Sequence, residues 1–111
     1  MHSMNDYSSA IQLRSDRWSA LREAASGLTR ATTAKEIEAL RSKCAALFDS
    51  LSLIEPYWAF PGMAAFEHLQ RMLNNNSFDD MAFAVNRITR ALTTGAYRRR
   101  TIPLERLIYA L

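Results

Sequence analysis

An all-α fold, an antiparallel four-helix bundle with a short C-terminal helix or tail, is what this 111-residue sequence predicts. Three observations carry that expectation. Alanine, leucine and arginine dominate while β-branched residues are scarce, which favours helix. Four amphipathic stretches recur at helical spacing, and the turn signals between them are short, as in a bundle of neighbouring helices. Only three glycines and three prolines interrupt the chain, so a loop-rich or disordered class does not fit.

The first helix is expected from about Ser8 to Ser26. Ile11, Trp18, Leu21, Ala25 and Leu28 recur near helical spacing, with Arg14, Arg17, Arg22 and Glu23 facing water. Gly27 then supplies the left-handed stop that helix ends favour. The second helix has the clearest start signal. Thr33 precedes Glu36 by three positions, a capping box in which each side chain satisfies a free backbone donor. Ile37, Leu40, Cys44, Leu47, Phe48, Leu51 and Ile54 then form an apolar stripe. Pro56 disfavours helical backbone at Glu55 and ends it.

Tyr57-Trp58-Ala59-Phe60-Pro61-Gly62 joins this helix to the next. Connections between bundle helices are usually short and polar, so an aromatic connector either plugs one end of the bundle or forms a contact surface. A ligand-holding aromatic box is the competing reading of Tyr57, Trp58 and Phe60. Pro61 suits the first turn of a third helix, whose buried face is Met63, Phe66, Leu69, Met72 and Leu73. Asn74-Asn75-Asn76 marks a turn. Ser77 caps the fourth helix, and Asp79 and Asp80 offset its positive end. Met81, Val85, Ile88 and Leu92, joined by Ala84 and Ala91, make its inner stripe, and Gly95 ends it.

The bundle domain is assigned to residues 1–97 and a basic, apolar tail to 98–111. In that tail Leu104, Leu107, Ile108 and Leu111 would share one helix face, but barely two turns of helix are marginal alone in water. The tail therefore packs on the bundle, docks on another chain, or continues into a longer polypeptide.

The net charge of +3 is unevenly spread. Residues 1–55 hold seven basic and seven acidic side chains, whereas 56–111 hold seven arginines, no lysine and four acids. Six of those arginines fall between Arg87 and Arg106, opposed only by Glu105. Arg87, Arg90, Arg98, Arg99 and Arg100 are thus candidates for phosphate or carboxylate recognition, since guanidinium groups fork onto both. The bland reading is a solvated helix end and basic linker. The charge excess is small for a dedicated DNA-binding domain, and no zinc or helix-turn-helix pattern accompanies it.

Chemistry is not signalled. His68 has only the adjacent Glu67 beside it, and a metal site needs three or four convergent donors. No motif places a serine nucleophile, and the three glycines are too dispersed for a phosphate loop. Lys35 and Lys43 lack the apolar or cationic setting that activates an amine. No catalytic residue, metal or cofactor is expected, and the chain reads as a non-enzyme. Cys44 is the lone cysteine. Its place on an apolar stripe favours an inert core thiol over a reactive one, and with no disulfide framework and no signal peptide the expected location is the cytoplasm. No apolar run approaches the ~20 residues of a membrane span.

The stretch Ile54-Glu55-Pro56-Tyr57-Trp58-Ala59-Phe60-Pro61-Gly62, with Phe66, Leu69 and Val85-Asn86-Arg87-Ile88-Thr89-Arg90-Ala91-Leu92, resembles the N-terminal helical region of bacterial ornithine/lysine/arginine decarboxylase-like proteins. There an aromatic YW-x-x-PG element separates two helices. The segment Gly95 to Leu104 is similar to the chain leaving that region, and the resemblance spans roughly residues 35–104. Those decarboxylases are several times longer and bind pyridoxal phosphate on a lysine preceded by serine and histidine. Nothing around Lys35 or Lys43 matches that motif, so no catalytic residue carries over. The resemblance implies an accessory assembly or regulatory domain whose partner is a second copy or a decarboxylase-like catalytic domain. The alternative is a small basic nucleic-acid-binding regulator. Tyr57, Trp58, Phe60, Arg87, Arg90, Arg98, Arg99, Arg100, Leu104, Leu107, Ile108 and Leu111 are the interaction candidates.

Overall fold

The computed structural model describes residues 4–54 and 63–94, with side chains for 12–54 and 64–92. Among these residues the chain is all-helical: α1 (Met4–Arg30), α2 (Ala34–Ile54), α3 (Met63–Asn74) and α4 (Phe78–Thr94). α1 packs along both α2 and α4, and α3 packs against α4 and, more sparsely, α2. The proposed 97/98 domain boundary, Gly95 and the C-terminal tail lie outside the described residues, as does the connector at 55–62.

The core is built by one stripe from each helix. Trp18, Leu21, Ala25 and Leu28 of α1 meet Cys44, Phe48 and Leu51 of α2, Phe66, Leu69 and Leu73 of α3, and Met81 and Val85 of α4. Ile37, Leu40, Leu47, Met72, Ile88 and Leu92 pack around this centre half-buried. Burying each large aliphatic side chain contributes roughly 1.5–3 kcal/mol relative to leaving it exposed. Phe48 and Phe66 join α2 to α3 edge to face, with ring centroids 5.5 Å apart and planes at 85°, an arrangement that aligns a ring edge with a π face.

Three expectations for α1 are corrected. Gly27 does not stop the helix, which continues to Arg30. A Cβ at Gly27 would stand 3.1 Å from Leu40 Cδ1, so the missing side chain admits the neighbouring helix rather than a left-handed turn. The helix end is instead dressed by Thr29, whose hydroxyl donates to the Ser26 carbonyl at 2.7 Å, and by Arg30, a cation in the last turn. Arg14, expected to face water, is buried at 4% exposure. Residues 14, 18, 21, 25 and 28 share one face at helical spacing, so periodicity places Arg14 in line with the core and its aliphatic stem packs there. Arg17 also turns partly inward and donates Nε–H to Ser50 Oγ of α2 at 3.0 Å. Gly27 meeting Leu40 and Arg17 meeting Ser50 make α1 and α2 run in opposite directions.

The helix-start signal of α2 is realised: the Glu36 backbone N–H donates to Thr33 Oγ1 at 3.1 Å, and the Ile37 N–H to the Thr33 carbonyl at 3.0 Å. The asparagine run is also a turn. Asn76 N–H donates to the Leu73 carbonyl at 3.2 Å and Ser77 N–H to the Met72 carbonyl at 2.8 Å. These are the two bonds of a Schellman motif, with Asn76 in the left-handed position at φ 60°. Asparagine tolerates that conformation better than other non-glycine residues. α4 starts after Ser77, whose carbonyl accepts the Met81 N–H at 3.0 Å. Its buried face includes Thr89, absent from the expected stripe; the hydroxyl is satisfied by donating to the Asn86 carbonyl at 3.0 Å.

Candidate functional site

The α1–α4 contact leaves a shallow groove of about 320 Å³ lined by Arg22 and Ser26 of α1 and Ala82, Phe83 and Asn86 of α4. The α4 periodicity explains it. Met81 and Val85 point into the core, so Phe83, two residues from each, is turned to the opposite side. Phe83 is 67% exposed. Ala82 and Asn86 are one turn apart and flank the ring along the α1 side.

Polar groups converge on the same place. Arg22 also lines a second, wider depression along α1 with Ser19, Glu23, Ser26 and Arg30. Arg30 Nη1 donates to Ser26 Oγ at 3.2 Å, which holds its guanidinium along this wall. Asn86 Oδ1 is buried without a hydrogen-bond partner. A buried acceptor left unpaired costs about 1–3 kcal/mol, so a native structure that keeps one calls for an explanation.

Of the residues singled out from sequence, Arg87 and Arg90 lie three apart on α4 and are both exposed. Tyr57, Trp58, Phe60, Arg98, Arg99, Arg100, Leu104, Leu107, Ile108 and Leu111 lie outside the described residues. Phe83, Arg22, Ser26 and Asn86 were missed by the sequence reading. A signal existed for one of them: Phe83 is an aromatic off the apolar stripe of its own helix. Nothing in the sequence marks Asn86, because its isolation depends on how α1 and α4 meet.

Cys44 is fully buried, and burial pushes its thiol up to about 11 from the usual 9.0, with Lys43 pulling weakly the other way. A thiol held protonated is a poor nucleophile. Among the described residues no group of three or more His, Cys, Asp or Glu could hold a metal ion. No helix among them is long and apolar enough to cross a membrane.

No protein-family model, curated protein or solved structure matches the chain.

Proposed function

We propose that this chain is a non-catalytic helical assembly or regulatory domain that works by binding another protein in the cytoplasm. The observation that carries this reading is Phe83, an aromatic side chain 67% exposed in a groove that also holds an arginine and an unpaired buried acceptor. Exposed aromatics beside arginine are typical of protein contact sites. The scaffold of this reading is an antiparallel four-helix bundle. Support comes from α1 and α2 running oppositely, the tight turn between α3 and α4, and the contacts of α1 with α4 and α3 with α2.

The Ile54–Gly62 motif extends the proposal to a role beside a pyridoxal-phosphate amino-acid decarboxylase, either within one polypeptide or as a separate partner. That extension rests on the resemblance alone. Sedimentation velocity of the purified chain, alone and mixed with such a catalytic domain, tests the proposal. Concentration-dependent association is expected; a monomer under both conditions overturns it.

A second reading is favoured by Arg87 and Arg90, exposed three residues apart on α4: a basic nucleic-acid-binding regulator. Its mark would be affinity for DNA or RNA that falls steeply with added salt, because phosphate contacts release counterions. Failure to bind duplex and single-stranded probes at low salt removes it.

A further inference from the structure

We infer that the α1–α4 groove receives an acidic helix with an apolar face, contributed by a partner protein; this rests on the protein-binding reading above and names the partner's chemistry. The charge and spacing of the groove wall specify it. Arg22 lines the groove and Arg30 the adjoining depression along α1; they lie eight residues apart, about 12 Å along the helix axis at the helical rise. A helix laid along the groove repeats that distance between carboxylates about seven or eight residues apart. Each guanidinium then meets a carboxylate, the pairing its planar fork favours. Arg30 is already steered along the wall by its bond to Ser26.

Phe83 supplies the apolar half of the site. The groove holds Phe83 with Arg22 and Ser26, so the partner residue lying between the two carboxylates, one turn from each, covers the ring. This is the helix-in-groove mode, in which spaced anchors on one helical face enter a preformed hollow. Glu23, which lies on the same α1 surface, is the single acid among these residues. Asp79, Asp80 and Arg87 lie within one turn of Phe83 on α4, so the preference for an acidic helix is set by the α1 side, where two arginines stand against one glutamate.

Asn86 Oδ1 fits the same occupant. It is buried and unpaired in the isolated chain, and the terminal torsion of an asparagine side chain is soft. Rotation toward the groove would let it accept a hydrogen bond from a partner amide or hydroxyl.

The test uses two fluorescein-labelled helical peptides of equal length, titrated with the full chain and followed by anisotropy. One carries glutamates spaced to match Arg22 and Arg30, with leucine between; the other carries lysines in their place. The glutamate peptide is expected to bind and the lysine peptide not. Phe83→Ala should weaken binding by about tenfold or more, as loss of a central aromatic anchor does, while Phe83→Tyr, which keeps the ring, should retain it. The double variant Arg22→Glu, Arg30→Glu should exchange the preference and bind the lysine peptide.

Equal binding of both peptides, binding of neither, or no effect of Phe83→Ala overturns the inference. So does displacement of the glutamate peptide by a single-stranded oligonucleotide that binds more tightly and depends on Phe83, which would assign the groove to nucleic acid. Sedimentation of the same samples separates the two levels. If the peptides fail while the chain still associates, and Phe83→Ala does not alter that association, the groove assignment falls and the protein-binding reading stands.

Discussion

Arg41 of α2 donates from Nη1 to Asn76 Oδ1 and, at 2.9 Å, to the Leu73 carbonyl, closing over the turn between α3 and α4. Its guanidinium carbon also lies 5.9 Å from the centre of the Phe78 ring. One side chain thereby ties α2 to a last-turn carbonyl of α3, the left-handed turn residue and the first residue of α4. Hydrogen bonds involving a charged group are worth about 1.5–3 kcal/mol. Arg41→Ala is therefore expected to lower stability by about 1–3 kcal/mol in urea unfolding. Arg41→Lys should recover only part of that loss, because an ammonium can reach the two acceptors but loses the flat guanidinium that lies over the Phe78 ring.

Asn76 contributes twice, through its backbone and its side chain. Asn76→Ala forces a Cβ residue with no local hydrogen-bonding side chain into φ 60°, which costs about 1–2 kcal/mol, and also removes the acceptor for Arg41. Asn76→Gly removes the acceptor but relieves the backbone. The expected order of stability is Asn above Gly above Ala. In an Arg41→Ala background the glycine variant should equal or exceed asparagine, and a double-mutant cycle on urea unfolding midpoints checks both orders.

Gly27 and Leu40 should be strongly coupled. The 3.1 Å approach of Leu40 Cδ1 to a built Cβ leaves no room for a branched side chain, so Gly27→Val should cost about 1–3 kcal/mol by overpacking. Leu40→Ala opens the space. In that background Gly27→Ala is expected to raise stability by up to ~1 kcal/mol, the helix-propensity gain of alanine over glycine. Thermal unfolding of Gly27→Ala, Leu40→Ala and the double variant measures the coupling.

Cys44 makes stability depend on alkaline pH. Its thiol is pushed up to about 11 in the fold, against 9.0 ordinarily, so between those values the folded chain holds a proton that the unfolded chain has released. Stability then falls as pH rises. The contribution is complete below about pH 9 and is lost by about pH 11. The difference between wild type and Cys44→Ala in urea midpoint isolates this effect from lysine and tyrosine titration. A disulfide reagent should label Cys44 only at the rate of unfolding.

Phe83 and Leu21 should behave oppositely on truncation. Leu21 is fully buried in the α1 stripe, and Leu21→Ala is expected to cost about 2–5 kcal/mol. Phe83→Ala removes a larger side chain yet should change stability by no more than about 0.5 kcal/mol, as exposed substitutions do. Equal losses at the two positions would mean that Phe83 supports the fold and not a contact surface.

Most of the helical framework was legible because its signals are local. Thr33 with Glu36, the asparagine run and the four apolar stripes each need only neighbours in sequence to be understood. At Gly27 and Arg14, residue type and position along the helix point to different structures, and position decides. Glycine's preference for helix ends points to a stop at Gly27, whereas its role depends on Leu40, thirteen residues away. The charge of Arg14 points to water, although its spacing from Trp18 and Leu21 places it inward. The groove at Phe83 was less legible still. Its walls come from the first and fourth helices, and no local rule specifies how those two surfaces meet.

The register between α1 and α2 has a consequence for the far end of that pair. Moving ten residues back along α1 from Gly27 and ten forward along α2 from Leu40 leads from one contact to the next, at Arg17 and Ser50. Three or four residues further, the same pairing sets Leu13 and Leu53 at nearly one level, and these leucines are 43% and 76% exposed. The two leucines therefore stand at matching heights on neighbouring helices, one turn beyond the Arg17–Ser50 bond. Glutamate at both positions together should improve solubility without loosening the fold.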